Sequence, residues 1–159
     1  MITAFTKSAD DTRELGASLA SLVVAGDVVL LSGDLGAGKT TFTQGFGRGL
    51  GVRDEIVSPT FTLVRSYEGR LPLVHCDVYR LDHLQEVIDL GLGEMIDDGA
   101  VALVEWGDVA APGLPGDHLE TRIEFTESDD ERWFEFRPAG SSWLGRTDRL
   151  RAATERWQS

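Results

Sequence analysis

The sequence predicts an α/β domain with a mixed, mostly parallel sheet flanked by helices and carrying antiparallel strand pairs. Three observations predict it. Short apolar, β-branched-rich runs at Asp27–Ser32 and Ala100–Trp106 read as buried strands. Segments with apolar residues at helical spacing flank the first of these runs, at Leu15, Leu19 and Leu22 before it and at Phe42, Phe46 and Leu50 after it. The segments Thr121–Phe125 and Arg132–Phe136 alternate apolar and polar residues and read as a half-exposed hairpin. Helices alternating with strands belong on the two faces of a sheet.

The elements follow in order. Ser8 and the acid Asp11 three residues on resemble a capping box, so a helix starts there and runs to about Ala25. After the strand Asp27–Ser32 comes a helix over Thr40–Leu50. Gly45, Gly47 and Gly49 each cost about 1 kcal/mol there relative to alanine, so this helix is expected to fray near Gly47, and Gly51 is a plausible C-terminal cap. Ile56–Tyr67 is a loop running into a strand. Glu68–Arg70 is a hairpin turn and Leu71–Tyr79 the return strand. Asp82–Ile96 reads as a helix broken by Gly91 and Gly93, Ala111–Gly116 as a loop, and the tail from Ser141 or Ser142 as helical, with Leu150 and Ala153 near one face.

A chain of 159 residues fits one domain over 1–159, and its 42% apolar fraction is ordinary for a globular core. No apolar run approaches the roughly 20 residues that span a bilayer. The N-terminus lacks a signal-peptide layout, and Cys76 is the sole cysteine, which leaves no internal disulfide. Together these point to a cytoplasmic protein. The formal charge of −12 argues against tight unaided binding of RNA or DNA, which needs a basic face. Arg146, Arg149, Arg151 and Arg156 gather near the C-terminus, either as a local basic patch or as a solvated helix face.

Between the first strand and the second helix, Gly33-Asp-Leu-Gly-Ala-Gly-Lys39-Thr40 fits G-x-x-x-x-G-K-[ST], the phosphate-binding loop. Glycines let backbone N–H groups turn inward around phosphate oxygens, and the following helix N-terminus favours an anion. Lys39 would reach the β- and γ-phosphates, and the Thr40 hydroxyl would ligate Mg²⁺. Strand, glycine loop and helix are the context the motif requires. Gly45, Gly47 and Gly49 do not make a dinucleotide fingerprint, because Leu50 stands where glycine is needed.

Other parts of a nucleotide-hydrolysing site can be named. Glu105 ends the strand Val101–Glu105, where such enzymes place an acid that holds Mg²⁺ or its water; most use aspartate there. In His75-Cys-Asp-Val-Tyr79 the two-residue period puts His75, Asp77 and Tyr79 on one face, and Val74, Cys76 and Val78 on the other. Asp77 either orients a water in the site or lies on the exposed face of an edge strand, and spacing does not decide. His75 reads as a hydrogen-bonded strand histidine and Cys76 as a core thiol. Ser58-Pro59-Thr60-Phe61 lies where a γ-phosphate-sensing switch would sit, although Ser-Pro also marks ordinary turns. Trp106 is either near the nucleotide or in the core. Arg132 either reaches the base or a phosphate or is a strand-edge charge.

These pieces, in this order, resemble one family. Gly-Asp-Leu-Gly-Ala-Gly-Lys-Thr-Thr at 33–41, Ser-Pro-Thr-Phe-Thr-Leu-Val at 58–64, His-Cys-Asp-Val-Tyr-Arg-Leu at 75–81 and Val-Glu-Trp at 104–106 are similar to TsaE, the bacterial P-loop ATPases of tRNA threonylcarbamoyladenosine biosynthesis. The resemblance spans roughly residues 8 to 137 and implies a P-loop NTPase-like domain. It implies slow hydrolysis of ATP with Mg²⁺, raised by the TsaB–TsaD partner pair, which transfers a threonylcarbamoyl group to adenosine 37 of tRNAs reading A-starting codons. The family member supports turnover of that complex rather than the transfer itself. It meets tRNA only through the complex and needs neither membrane nor DNA.

Carried onto this sequence, the resemblance puts Gly36, Ala37, Gly38, Lys39, Thr40, Thr41 and, by a loose match, Arg132 at ATP. Thr40 and Glu105 fall at magnesium, and Ser58, Pro59 and Thr60 in a switch-like loop. Catalysis falls to Lys39, Asp77 and Glu105. Two other functions fit a phosphate loop: a small-molecule kinase, for which no arginine-rich lid stands out between Asp82 and Ala100, and a nucleotide-binding switch that needs no hydrolysis.

Overall fold

The computed structural model describes residues 1–34, 36–57, 64–78, 85–86, 89, 91–106 and 116–158. Along them run β1 (Ile2–Thr6), α1 (Ala9–Ala20), β2 (Val28–Gly33), α2 (Lys39–Gly49), β3 (Val64–Tyr67) and β4 (Leu73–Val78). Then follow α3 (Leu92–Asp97), β5 (Val101–Trp106), β6 (His118–Phe125), β7 (Arg132–Ala139), α4 (Ser141–Leu144), α5 (Thr147–Thr154) and a 3-10 turn at Glu155–Trp157.

The strands form one sheet in the order β1-β7-β6-β2-β5-β4-β3. Its centre is parallel, β6, β2, β5 and β4 running together, and its margins are antiparallel, with β7 and β1 on one side and β3 on the other. This is the mixed, mostly parallel sheet the sequence predicts. β2, β5 and β4 are buried on both faces, so they read as near-continuous apolar runs, whereas β6 alternates buried and exposed residues.

Two cores follow from the two-residue period. One face carries Val29, Leu31, Leu103, Leu119, Ile123, Phe134 and Phe136, covered by Leu15 and Leu19 of α1 and Phe42 and Phe46 of α2. The other carries Val28, Leu30, Val74, Cys76, Ala102 and Val104, covered by Leu92 of α3. His75 and Asp77 lie on the α1–α2 face, opposite Cys76. Burial pushes the Cys76 thiol up to about 12, and the nearby Asp77 charge adds to the shift.

Several boundaries differ from the sequence reading. α1 ends at Ala20, not near Ala25: Ser21 caps it, and the chain turns so that Asp27 accepts from the Val24 N–H at 2.8 Å. α2 does not fray near Gly47 but continues to Gly49. A Cβ on Gly45 would stand 1.9 Å from the Arg13 carbonyl oxygen, and one on Gly49 2.6 Å from that of Ala17. The glycines cost helix propensity and in return let α2 lie directly on α1. β1 is a strand that the sequence reading did not pick out. It pairs with β7 and seals the sheet edge with Ile2 and Ala4. Gly91 caps α3, whereas Gly93 lies within it.

The C-terminal arginines divide. Arg146 is buried and donates to both oxygens of Asp27, at 2.6 and 2.9 Å, with its guanidinium 3.9 Å over the Trp143 ring. Arg156 pairs with Glu14, and Arg149 and Arg151 are exposed. Neither a basic patch nor a plain solvated face describes the set. The tail is fastened to α1 by Ser18 Oγ donating to the Ala153 carbonyl at 2.6 Å and by Trp157 Nε1 donating to Asp11 at 2.8 Å. Among the described residues no helix is long and apolar enough to cross a membrane.

Candidate functional site

The candidate site lies at the C-terminal ends of β2, β5 and β4, where ligands of open α/β sheets sit. β2 delivers the chain to Gly33, and α2 starts at Lys39, so the glycine loop bridges strand end and helix N-terminus. Gly36 has φ 83° and Gly38 φ 109°, backbone that only glycine adopts without strain. A Cβ on Gly38 would meet nothing within 4 Å, so the loop's backbone faces open space at this point. Lys39 is largely buried, and its Nζ donates to the Gly33 carbonyl at 3.0 Å, which folds the ammonium over the loop. Thr40 and Thr41 occupy the first turn of α2, partly exposed.

Arg132, at the start of β7, braces this loop from outside. Its Nε donates to the Ala37 carbonyl at 2.9 Å, and its Nη1 to the carbonyls of Asp129 and Glu131 at 2.6 and 2.8 Å. The guanidinium lies 4.8 Å from the Phe125 ring centroid. These bonds pin the loop backbone to the β6–β7 turn, a role the sequence reading missed, since nothing in it ties residue 132 to residue 37. A small cavity of about 100 Å³ adjoins, lined by Ala9, Thr12, Gly38, Thr41 and Arg132 with Asp129 and Asp130. A larger groove of about 430 Å³ follows the second half of α2, between Arg13, Gln44, Arg48 and Ile56, and lies off the loop.

The acids come together through sheet register. Asp77 of β4 stands directly opposite Glu105 of β5, and Glu105 opposite Leu31 of β2, two residues before Gly33. All three side chains share the α1–α2 face. Asp77 is 1% exposed and Glu105 3%. β4 is flanked by β3 and β5, so the exposed edge-strand alternative for Asp77 is excluded. His75, fully buried, has its Nε2 3.5 Å from Glu105 Oε1. Ser58, Pro59, Thr60, Phe61 and Tyr79 lie outside the described residues, as does the Trp106 side chain.

This donor set fits a nucleotide with magnesium. Magnesium takes one or two carboxylates together with phosphate and water oxygens, not a dedicated protein cage. Among the described residues no group of three or more His, Cys, Asp or Glu forms such a cage. Glu105 Oε1 is buried and, among the described residues, has no hydrogen-bond partner. A hydroxyl at a helix start, a buried acid at a neighbouring strand end and a glycine cradle between them are what an Mg²⁺-nucleotide requires.

Comparison with known proteins identifies the family. The family profile described as "Threonylcarbamoyl adenosine biosynthesis protein TsaE" matches residues 6–134. The tRNA threonylcarbamoyladenosine biosynthesis protein TsaE of Bacillus subtilis is 42% identical over 139 residues, covering 87% of this chain and 86% of that protein. The protein of the same description from Streptomyces coelicolor is 50% identical over 121 residues, covering 74% and 81%. The crystal structure of YdiB from Bacillus subtilis superposes with a TM-score of 0.80 at 36% identity, covering 95% of this chain and 94% of that one. The family match spans the glycine loop and the two strand-end acids. The chain belongs to the TsaE family.

Proposed function

We propose that this chain is a P-loop ATPase of low intrinsic activity that works with TsaB and TsaD in forming threonylcarbamoyladenosine at position 37 of tRNAs. Its ATP cycle supports turnover of that complex, and the transfer itself belongs to the partners. The observation that carries the proposal is the Lys39 ammonium folded onto Gly33 at the head of a glycine cradle, on the sheet face that holds Asp77 and Glu105.

Gly36, Ala37, Gly38, Lys39, Thr40 and Thr41 receive the phosphates through backbone N–H groups and the α2 N-terminus. Lys39 stabilises the charge that builds up on the transferred phosphoryl group. The Thr40 hydroxyl and Glu105 would hold the metal, which would supply positive charge to offset that of the phosphates. Asp77, across from Glu105, acts as a base toward the attacking water or positions a metal-bound one. Asp77→Asn, which keeps a hydrogen-bonding group but cannot take a proton, separates the two. Arg132 keeps the cradle in shape from behind. Ser58, Pro59 and Thr60 form the loop that senses the γ-phosphate. The protein's acidity suits docking on a protein pair that itself grips tRNA.

The test is ATP hydrolysis by the purified chain, alone and with TsaB plus TsaD, beside Lys39→Ala. Slow turnover that rises with the pair and falls about 10²-fold or more in the variant supports the proposal. Fast turnover indifferent to the pair rejects the partnership. Phosphate passed to a metabolite faster than to water would favour a kinase.

A further inference from the structure

We propose that His75 is a positioning residue that holds the Glu105 carboxylate from behind and so sets which oxygen faces the metal. The inference rests on reading Glu105 as the magnesium-side acid. Three features of the buried sheet face carry it.

First, Glu105 and Asp77 are both buried and stand opposite each other on neighbouring parallel strands. A carboxylate oxygen withdrawn from water needs a hydrogen-bond donor, and Glu105 Oε1 is such an oxygen. Second, His75 lies two residues before Asp77 on the same face, on the side away from the strand ends, with Nε2 3.5 Å from Glu105 Oε1. Its registry neighbours are the apolar Leu103 on β5 and, on β3, Arg65, which is exposed. Third, neither His75 nitrogen nor Glu105 Oε1 has a hydrogen-bond partner among the described residues. A buried imidazole in that condition costs stability that leucine or phenylalanine would not, so core packing does not account for it.

A separation of 3.5 Å lies beyond the 2.7–3.2 Å range of an N–H···O bond. Rotation about the last torsion of Glu105, a soft one, closes the gap. A neutral imidazole with its proton on Nε2 suffices, so no charge on His75 is required. With Oε1 held below, the other oxygen is left to turn toward the strand ends, where the glycine loop leads into α2 with Thr40 in its first turn. Groups behind a metal-binding carboxylate fix its orientation in this way, and their loss weakens metal affinity about 10- to 100-fold.

The experiment measures binding of a fluorescent ATP analogue to the full chain as MgCl₂ is raised, for the parent, His75→Leu and His75→Gln. Leucine fills the space without a donor, and glutamine places an N–H near the position of Nε2. The expected result is that His75→Leu needs about tenfold more Mg²⁺ or more for its half-maximal effect. Its magnesium-free analogue binding stays at the parent level, and His75→Gln falls close to the parent. A parental magnesium titration in His75→Leu, or equal impairment in both variants, overturns the proposal. Imidazole ¹⁵N NMR of the nucleotide-free parent gives a second readout that does not depend on any variant of His75. The chain has three histidines, which keeps assignment simple. A proton on His75 Nε2 whose signal moves in Glu105→Gln is expected, and a proton on Nδ1 instead overturns the proposal. If the parent binds no ATP analogue at all, the nucleotide reading fails, while the NMR result still decides the His75–Glu105 contact.

Discussion

Replacing Gly45 by alanine sets helix propensity against interhelical packing, and the geometry says which wins. In an isolated helix the change gains about 1 kcal/mol. Here the new Cβ would stand 1.9 Å from the Arg13 carbonyl oxygen and 2.5 Å from its carbonyl carbon. Ordinary contact begins at 3.4 Å, so α1 and α2 must separate by about 1.5 Å, and the obstacle is backbone that cannot change rotamer. Overpacking of a sound core costs about 1–3 kcal/mol and occasionally more. The helix pair also holds Phe42, Phe46, Leu15 and Leu19 in one cluster, which such a shift would loosen. A net loss of about 1–2 kcal/mol is expected, or roughly 2–8 °C in Tm for a domain of this size. Gly93→Ala is the control: it lies in α3, a Cβ there meets nothing within 4 Å, and about 0.5 kcal/mol of stabilisation is expected. Urea unfolding followed by tryptophan fluorescence reads both. A Gly45→Ala midpoint equal to or above the parent's would refute the packing argument. Because α2 carries Lys39 and Thr40 in its first turn, ATP-analogue affinity should fall along with stability.

Three further predictions follow from other contacts. Arg146→Met leaves the buried Asp27 carboxylate without its bidentate partner and should cost about 3–5 kcal/mol, and adding Asp27→Asn should recover part of that loss in a double-mutant cycle by chemical denaturation. The Cys76 thiol, raised to about 12 by burial, stays neutral in the folded chain while the unfolded thiol ionises near 9, so folding loses up to about 1.4 kcal/mol per pH unit as pH rises from 9 to 12; Cys76→Ala should show a correspondingly shallower alkaline decline, and an identical slope would contradict the burial argument. Arg132→Lys keeps the charge but cannot donate to the carbonyls of Ala37, Asp129 and Glu131 together. ATP-analogue affinity should drop about tenfold in a titration, and an unchanged Kd would show that the brace is dispensable.

Much of the molecule was legible from local rules. The strand–loop–helix over Val28–Gly49, the αL glycines at its bend and the Ser8 cap each follow from residues a few positions apart, because backbone sterics and hydrogen-bond satisfaction act at that range. The β6–β7 hairpin and the two faces of β4 follow from the two-residue period in the same way. Two of the four TsaE-like motifs, at 33–41 and from 75 onward, fall in these segments, which is why the sequence alone pointed to an Mg²⁺-nucleotide site and to Lys39 in it. Register and proximity between distant segments were decided only in the folded chain. Period two put Asp77 and His75 on one face, but the pairing of β4 with β5 set them beside Glu105 and buried all three. Glycines that read as helix breakers became the contact surface between α1 and α2, since a missing Cβ has value only where another backbone approaches. Arg132 bracing Ala37 and Arg146 holding Asp27 join residues about a hundred positions apart. A guanidinium's destination depends on which carbonyls and carboxylates the folded chain brings within its reach, and no local pattern encodes that.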